Sequence, residues 1–355
     1  MTRYDIAIVG AGIAGATLAA AIGNRARVVL LEGESQPGYH ATGRSAAFWS
    51  ETYGGPDIQP LTTASGPALQ AGGYLEPLGS LHIGRAEDRA KAEAFLAQFA
   101  GSGVALDPVD PQALVPGLRG DWTVGVMEPT CAYVDVARLH ADALAAARRA
   151  GAVLVTDAEV TAVAPGWTVE TRAGPIRAEM LVNAAGAWAD AVARRAGVAP
   201  IGIRAFRRTM VQLRTDPPPP TGLPHVADLS GRFYFKPEAG GRLWLSPHDE
   251  IATDPCDAAP EDLDVALAID RFEQAVNWRV AAVERKWAGL RSFAPDRRPV
   301  YGFAPGTRFF WCAGQGGFGI QTAPAAAALA AALLLGDAVP EGLCAERYAP
   351  ERFHR

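Results

Sequence analysis

The sequence predicts an α/β protein organised around a Rossmann-like, doubly wound sheet. Three observations carry that expectation: a strand–helix–strand unit at the N-terminus, a glycine-patterned turn at its first junction, and an acidic residue closing its second strand. Tyr4 to Val9 is a short, mostly apolar run of strand length. Ile13 to Gly23 is rich in Ala and Leu and reads as a helix. Arg27 to Leu31 is a second apolar strand, ending at Glu32. The turn that opens the helix is Gly10-Ala11-Gly12-Ile13-Ala14-Gly15.

That GxGxxG spacing gains meaning from its setting, after a strand and at the start of a helix. Gly10 permits the tight turn, Gly12 lets a pyrophosphate approach the backbone, and Gly15 lets helix and strand pack closely. The free N–H groups and dipole of the helix start favour negative charge. Glu32 stands where a carboxylate accepts hydrogen bonds from ribose hydroxyls. The alternative is a glycine-rich turn with no ligand.

Further along, Glu51 to about Tyr133 reads as mixed short segments broken by Gly and Pro. Val136 to Ala150 is a helical run. Val153–Thr156, Val160–Ala164, Thr168–Thr171 and Met180–Ala184 are strand-like. So are Met210–Leu213, Phe233–Phe235, Leu243–Ser246 and Phe309–Ala313. Pro217 to Pro220 is a stiff extended loop. Leu263 to Ala281 and Gln321 to Leu335 read as helices.

Composition narrows the function classes. A length of 355 residues suits two or three compact units. The balance of 33 Lys and Arg against 38 Asp and Glu lacks the basic excess that nucleic acid requires. Cys131, Cys256, Cys312 and Cys344 form no CxxC pair, which argues against a disulfide framework or structural zinc and for a reducing, cytoplasmic setting. His40, His82, His140, His225, His248 and His354 have no metal-ligand spacing, and His140 reads as structural or surface-exposed. The apolar run Thr322 to Leu335 is too short to cross a bilayer, so no transmembrane segment is expected.

The choice of nucleotide rests on three glycine-bearing clusters. Glu32 is followed by the small-residue loop Gly38 to Ala47, where a simple NAD domain would go straight into another helix. Asn183-Ala184-Ala185-Gly186-Ala187-Trp188 follows a second strand. Gly314-Gln315-Gly316-Gly317-Phe318-Gly319-Ile320-Gln321 precedes the last helix. Clusters this far apart suit a long cofactor such as FAD, and the last aims a helix N-terminus at the pyrimidine edge of a reduced flavin.

With Trp287-Ala288-Gly289-Leu290-Arg291-Ser292-Phe293 added, these motifs resemble the D-amino acid oxidase superfamily of flavoproteins over nearly the whole chain. Within it the sequence resembles the bacterial D-arginine dehydrogenases. The resemblance implies a discontinuous FAD-binding domain over residues 1–50, 134–200 and 290–355. A substrate domain built on an antiparallel sheet would take residues 51–133 and 201–289. It implies noncovalent FAD held by Gly10 to Gly15, Glu32, Thr42, Gly43, Arg44, Ser45, Ala46, Val160, Ala185, Gly186, Arg291, Gly314 and Gly316 to Gln321. Val160 would meet the adenine end, and Thr42, Arg44 and Ser45 the diphosphate and flavin side.

Oxidising an amino acid at Cα requires an anchored carboxylate, a neutral amine and a Cα hydrogen facing flavin N5. A guanidinium fork is the natural anchor because it binds both carboxylate oxygens in one plane. The resemblance gives that place to Arg291, with Arg208, Tyr53 and Tyr234 as further site residues and Gly317 and Gln321 beside substrate and flavin. For Arg208, beside Arg207, a surface or domain-interface role is the alternative.

Several departures from those enzymes bear on substrate choice. Ser80 stands where the D-arginine enzymes carry a glutamate for a cationic side chain, with Glu76 as an alternative source of that charge, and Phe48 replaces a histidine. His225 and Ala227 replace apolar residues, and Trp49 and Trp244 add aromatic area. A serine cannot neutralise a desolvated guanidinium. The expected substrate is therefore a neutral, apolar or aromatic D-amino acid, with oxygen or a quinone as acceptor. An N-methylated amine or 2-hydroxy acid as substrate, a flavin subunit of a larger redox complex, and an NAD-only dehydrogenase are the competing readings.

Overall fold

The computed structural model describes residues 3–353, so His354 lies outside the described residues. Among those residues the chain forms an eight-stranded sheet, a ten-stranded sheet and a small three-stranded one. The centre of the first sheet is parallel. Its strand order is Phe309–Ala313, Ile176–Asn183, Arg3–Val9, Val28–Leu31 and Val153–Val155. Both faces are covered, which is why these strands read as nearly continuous apolar runs. Ile6 and Ile8 pack one way with Leu18, Ile22, Phe310 and Leu329. Ala7 and Val9 pack the other way with Leu181, Val192 and Trp311.

The register brings the carboxyl ends of these strands into line. Val9 stands beside both Leu31 and Asn183, and Asn183 beside Trp311. Each strand therefore delivers its following loop to one rim, where ligands bind in open α/β sheets. The helix Ile13–Ile22 rises from the first of those loops and packs beside the helix Val136–Arg149.

The ten-stranded sheet has one apolar and one polar face. Val211, Leu213, Phe235, Leu243 and Leu245 alternate inward and bury Phe272 of the helix Asp262–Glu273 together with Trp278. The opposite face carries Arg208, Met210, Tyr234 and Arg291 toward the rim of the first sheet. Strand alternation places these residues together.

Three elements depart from the sequence expectation. The helix expected to run from Leu263 to Ala281 stops at Glu273, and Arg279–Phe293 is a strand. The Asn277 N–H donates to the Gly117 carbonyl and Trp278 is buried beside Phe235 and Phe272, so tertiary packing ends the helix. The strand expected over Met210–Leu213 runs from Arg204 to Asp216, extended by polar residues that face the site. Gln59–Ala71 is a helix despite Pro60 and Pro67. Pro60 lies in its first turn, where a missing N–H is tolerated, and Gly66 gives the Trp49 ring room to pack.

Candidate functional site

One elongated cavity of about 480 Å³ runs from the rim of the parallel sheet to the polar face of the second sheet. Glu32, Glu159, Val160 and Arg195 line one end. Gly12, Thr42, Arg44, Ser45, Ala185 and Gly186 line the middle, and Arg208, Tyr234, Arg291 and Gly317 the other end.

The first end is made largely of backbone. A Cβ on Gly10, whose φ is +99°, would collide with the Ala184 carbonyl oxygen, and one on Gly15 with the Gly10 carbonyl oxygen. Both glycines are required for packing; Gly10 also lines the cavity, whereas Gly15 does not. Glu32 is fixed by the N–H groups of Ala11 (2.9 Å) and Glu34 (3.1 Å). Thr42 Oγ1 accepts from the Ile13 N–H at 3.0 Å, which ties the Gly38–Ala47 loop to the helix start. His140 is buried, with Nε2 2.8 Å from the Ala11 carbonyl oxygen. It supports the fingerprint turn, and the residue type alone gave no sign of this.

Within that loop Gly43 makes a turn, its N–H donating to the Gly38 carbonyl at 2.7 Å, and does not line the cavity. The Arg44 guanidinium pairs with Asp257 and donates to the carbonyls of Ala258 (2.9 Å) and Ala288 (3.2 Å). Arg44 thus clasps this loop to the second sheet while its side chain borders the cavity. Gly314 and Phe318 pack away from the cavity, Phe318 against Tyr53 and Phe293. Gly316, Gly317, Gly319 and Ile320 line it.

The second end is made of side chains. Arg291 stands opposite Phe206 on adjacent strands, and Arg208 opposite Gly289, so the two arginines are diagonal neighbours on one face. Arg208 is 4% exposed and donates Nε–H to the Asp249 carbonyl at 2.7 Å, with Nη2 3.4 Å from Glu250. Its Nη1 is buried without a partner. Burial, together with the neighbouring Arg291, lowers its pKa. No acidic side chain among the described residues pairs with Arg291, whose guanidinium carbon lies 5.8 Å from the Tyr53 ring centroid. A Cβ on Gly317 would collide with the Tyr53 hydroxyl and stand 3.2 Å from the Arg291 guanidinium carbon. Arg291, Tyr53 and Gly317 therefore converge on one point.

Tyr53 is held from two sides. Glu128 is fully buried and accepts from Ser50 Oγ (2.8 Å), Thr52 Oγ1 (2.6 Å) and the Glu51 N–H (2.6 Å), which fixes the turn before Tyr53. Burial pushes its pKa up. Gln321 donates to the Tyr53 carbonyl at 3.0 Å and to Thr62 Oγ1 at 2.8 Å. The Tyr234 hydroxyl donates to Met210 Sδ at 3.1 Å.

A recess of about 30 Å³ opens beside this point, lined by Phe48, Tyr53, Tyr234, Arg291 and Gly317 among others. Ser80, Trp49, Trp244 and Glu76 line neither cavity. Ser80 is buried 2.8 Å from His225 Nδ1, Trp49 donates to the Thr62 carbonyl, and Trp244 stacks on Lys236. Glu76 lies exposed on the strand Leu75–Pro77, so it supplies no charge to the recess. The carboxylates bordering the large cavity, Glu32, Glu34 and Glu159, are all at its first end. Among the described residues no carboxylate lines the second end. Arg208 is paired behind the wall with Asp249 and Glu250, whereas Arg291 has no acidic partner, an arrangement that attracts a carboxylate at Arg291 and disfavours a cationic side chain.

The residues present fit FAD: a carboxylate, Glu32, at the strand end beside the fingerprint turn, a helix start crowded by required glycines, and a glycine-lined wall at Gly289 and Gly317. Met210 and Gly289 line the cavity and were not among the expected site residues. The alternation along Arg204–Asp216 was the signal that could have found Met210.

The FAD dependent oxidoreductase (DAO) family profile matches residues 5–333. Rat mitochondrial dimethylglycine dehydrogenase is 26% identical over 90% of this chain and 41% of its own length. The chain spans 25%, 41% and 54% of the first curated relatives it matches. Among solved structures, glycine oxidase from Geobacillus kaustophilus superposes with a TM-score of 0.81 at 25% identity, covering 95% of this chain and 96% of that one. L-Proline dehydrogenase from P. horikoshii superposes with a TM-score of 0.86, covering 99% and 98%. At 23% identity that second likeness speaks to the fold.

Proposed function

The chain belongs to the DAO family of FAD dependent oxidoreductases, and on that premise we propose that it oxidises the Cα–N bond of a small, neutral amino acid. Glycine, sarcosine and proline are the type substrates. The observation that carries this is Arg291, which has no acidic partner among the described residues and lines a recess of about 30 Å³, with Arg208 on the adjoining wall of the large cavity. Two guanidinium groups and the Tyr53 hydroxyl would hold the carboxylate, and the recess admits one or two water-sized groups beyond it. That size moves the expected substrate from an aromatic side chain to a small one. Arg291 serves the carboxylate of a primary or a secondary amine equally well, and relatives named for dimethylglycine and glycine support this class.

FAD, when bound, supplies the two-electron acceptor. The chain's own part is to bind and orient. Arg291 and Arg208 fix the carboxylate plane, Tyr53 fixes its rotation, and Phe48 and Tyr234 close the apolar side against water. A discontinuous FAD-binding domain with a substrate domain between its parts, as the resemblance implies, would suit this division of roles. The resemblance to D-amino acid enzymes supports the D-enantiomer wherever Cα is a stereocentre.

The test is anaerobic bleaching of the flavin band by glycine, sarcosine, D- and L-proline, D-phenylalanine, D-arginine and 2-hydroxy acids. The proposal expects the small amines to bleach fastest. Preferential bleaching by D-arginine or D-phenylalanine would overturn it, and bleaching by a hydroxy acid alone would replace it. Readmitting air then separates oxygen from a quinone as acceptor.

A further inference from the structure

The polar face of the second sheet continues beyond the recess to a buried pair of polar side chains. His225 stands there at 3% exposure, with Nδ1 2.8 Å from Ser80 Oγ. The same hydroxyl lies 3.4 Å from His82 Nε2. His225 Nε2 is buried and has no partner among the described residues. A buried imidazole nitrogen without a partner is uncommon and calls for a reason.

Phe48 separates this nitrogen from the substrate recess. The Phe48 ring lines the recess and packs on the His225 ring with centroids 4.4 Å apart, while neither His225 nor Ser80 reaches the recess. Tyr234 also touches both, its ring 5.4 Å from His225. The Phe48 and Tyr234 rings thus contact both the recess and the His225 ring.

We propose that Phe48 sets the largest Cα substituent the site accepts, and that its ring covers a latent side-chain subsite. His225 and Ser80 form the floor of that subsite, which suits a neutral hydrogen-bonding group such as a carboxamide or hydroxyl. The inference rests on the reading that Arg291 clamps an amino acid carboxylate.

The chemistry of the floor selects the ligand class. Burial keeps His225 neutral, its pKa well below the ordinary histidine value. Its ring offers one donor or one acceptor at Nε2, depending on which nitrogen carries the proton. A cation would find no free carboxylate there. Glu128 neighbours Ser80 on the adjacent strand, but its oxygens are taken by Ser50, Glu51 and Thr52. A carboxamide brings both a donor and an acceptor and matches either tautomer.

The experiment compares the holoenzyme with Phe48→Ala, Phe48→Leu and the double variant Phe48→Ala/His225→Phe. Dissociation constants for acetate and for succinamate, the monoamide of succinate, are read from the perturbation of the flavin absorbance. These acids lack the amine, so binding is measured whether or not an amine is oxidised. In Phe48→Ala the ratio should shift about tenfold toward succinamate, the worth of one added hydrogen bond. A smaller shift is expected in Phe48→Leu, and the gain should disappear in the double variant. A ratio that stays within about twofold of wild type in both single variants overturns the proposal. A gain that survives His225→Phe overturns the assigned floor. If the ratio shifts but glycine, sarcosine and proline all leave the flavin oxidised, the subsite stands and the proposed reaction falls.

Discussion

The two ends of the cavity are built by different means. At the end bordered by Glu32 and Val160, backbone does the work: glycines that cannot carry a Cβ, a helix start capped by Thr42, and strand ends in register. At the end bordered by Arg208 and Arg291, side chains do it, from strands far apart in sequence and packed around a small recess. A site made of backbone leaves a compact local pattern, because each glycine answers to a contact a few residues away. A site made of side chains leaves no such pattern, and its members meet only through sheet register.

This difference can be broken most forcefully at the first end. Gly15→Val places carbon against the Gly10 carbonyl oxygen, so helix and strand cannot keep their spacing. The purified variant should carry no flavin, seen as lost visible absorbance per protein. A yellow Gly15→Val protein would mean the turn is not where the cofactor sits.

At the second end the effect should fall on substrate alone. Arg291→Met removes two charge-assisted hydrogen bonds of about 2 kcal/mol each, so kcat/KM should drop about a thousandfold with flavin content unchanged. Tyr53→Phe removes one hydroxyl at the same point. Steady-state kinetics should show a loss of about tenfold, mainly in KM.

The smallest expected effect is on stability. His225 is held neutral by burial, with its folded pKa lowered, whereas the unfolded chain takes up a proton near the ordinary histidine value. Its contribution is thus present above about pH 6.5 and lost as pH falls below it. Urea unfolding at pH 7 and pH 5 should show His225→Phe reducing that loss by on the order of 1–2 kcal/mol. An identical pH dependence in the variant would contradict a neutral buried imidazole.

The same contrast explains what the sequence made legible. The unit from Tyr4 to Glu32 and the strand Phe309–Ala313 announce themselves through local runs and glycine spacing. So does the family, through motifs of the same backbone-built kind. The long strands Arg204–Asp216 and Arg279–Phe293 are harder to read, because one face of each is polar where it meets the site. Trp278 hides the end of the preceding helix, since only its burial beside Phe235 and Phe272 shows why the helix stops. Ser80 could be aligned with a substrate-facing glutamate, yet the sequence gives no sign that Phe48 stands in front of it. Glu128 is a lone carboxylate in the sequence and acquires a role only when Ser50, Glu51 and Thr52 fold against it.

We propose that backbone holds the cofactor at one end of the cavity while Arg291 clamps a carboxylate at the other. The most direct test is titration of the purified yellow protein with acetate, followed by the flavin difference spectrum, in wild type and in Arg291→Met. Saturable perturbation in wild type, lost in a variant that keeps its full flavin content, is the predicted result. Equal acetate affinity in the two proteins would mean that Arg291 does not hold the carboxylate.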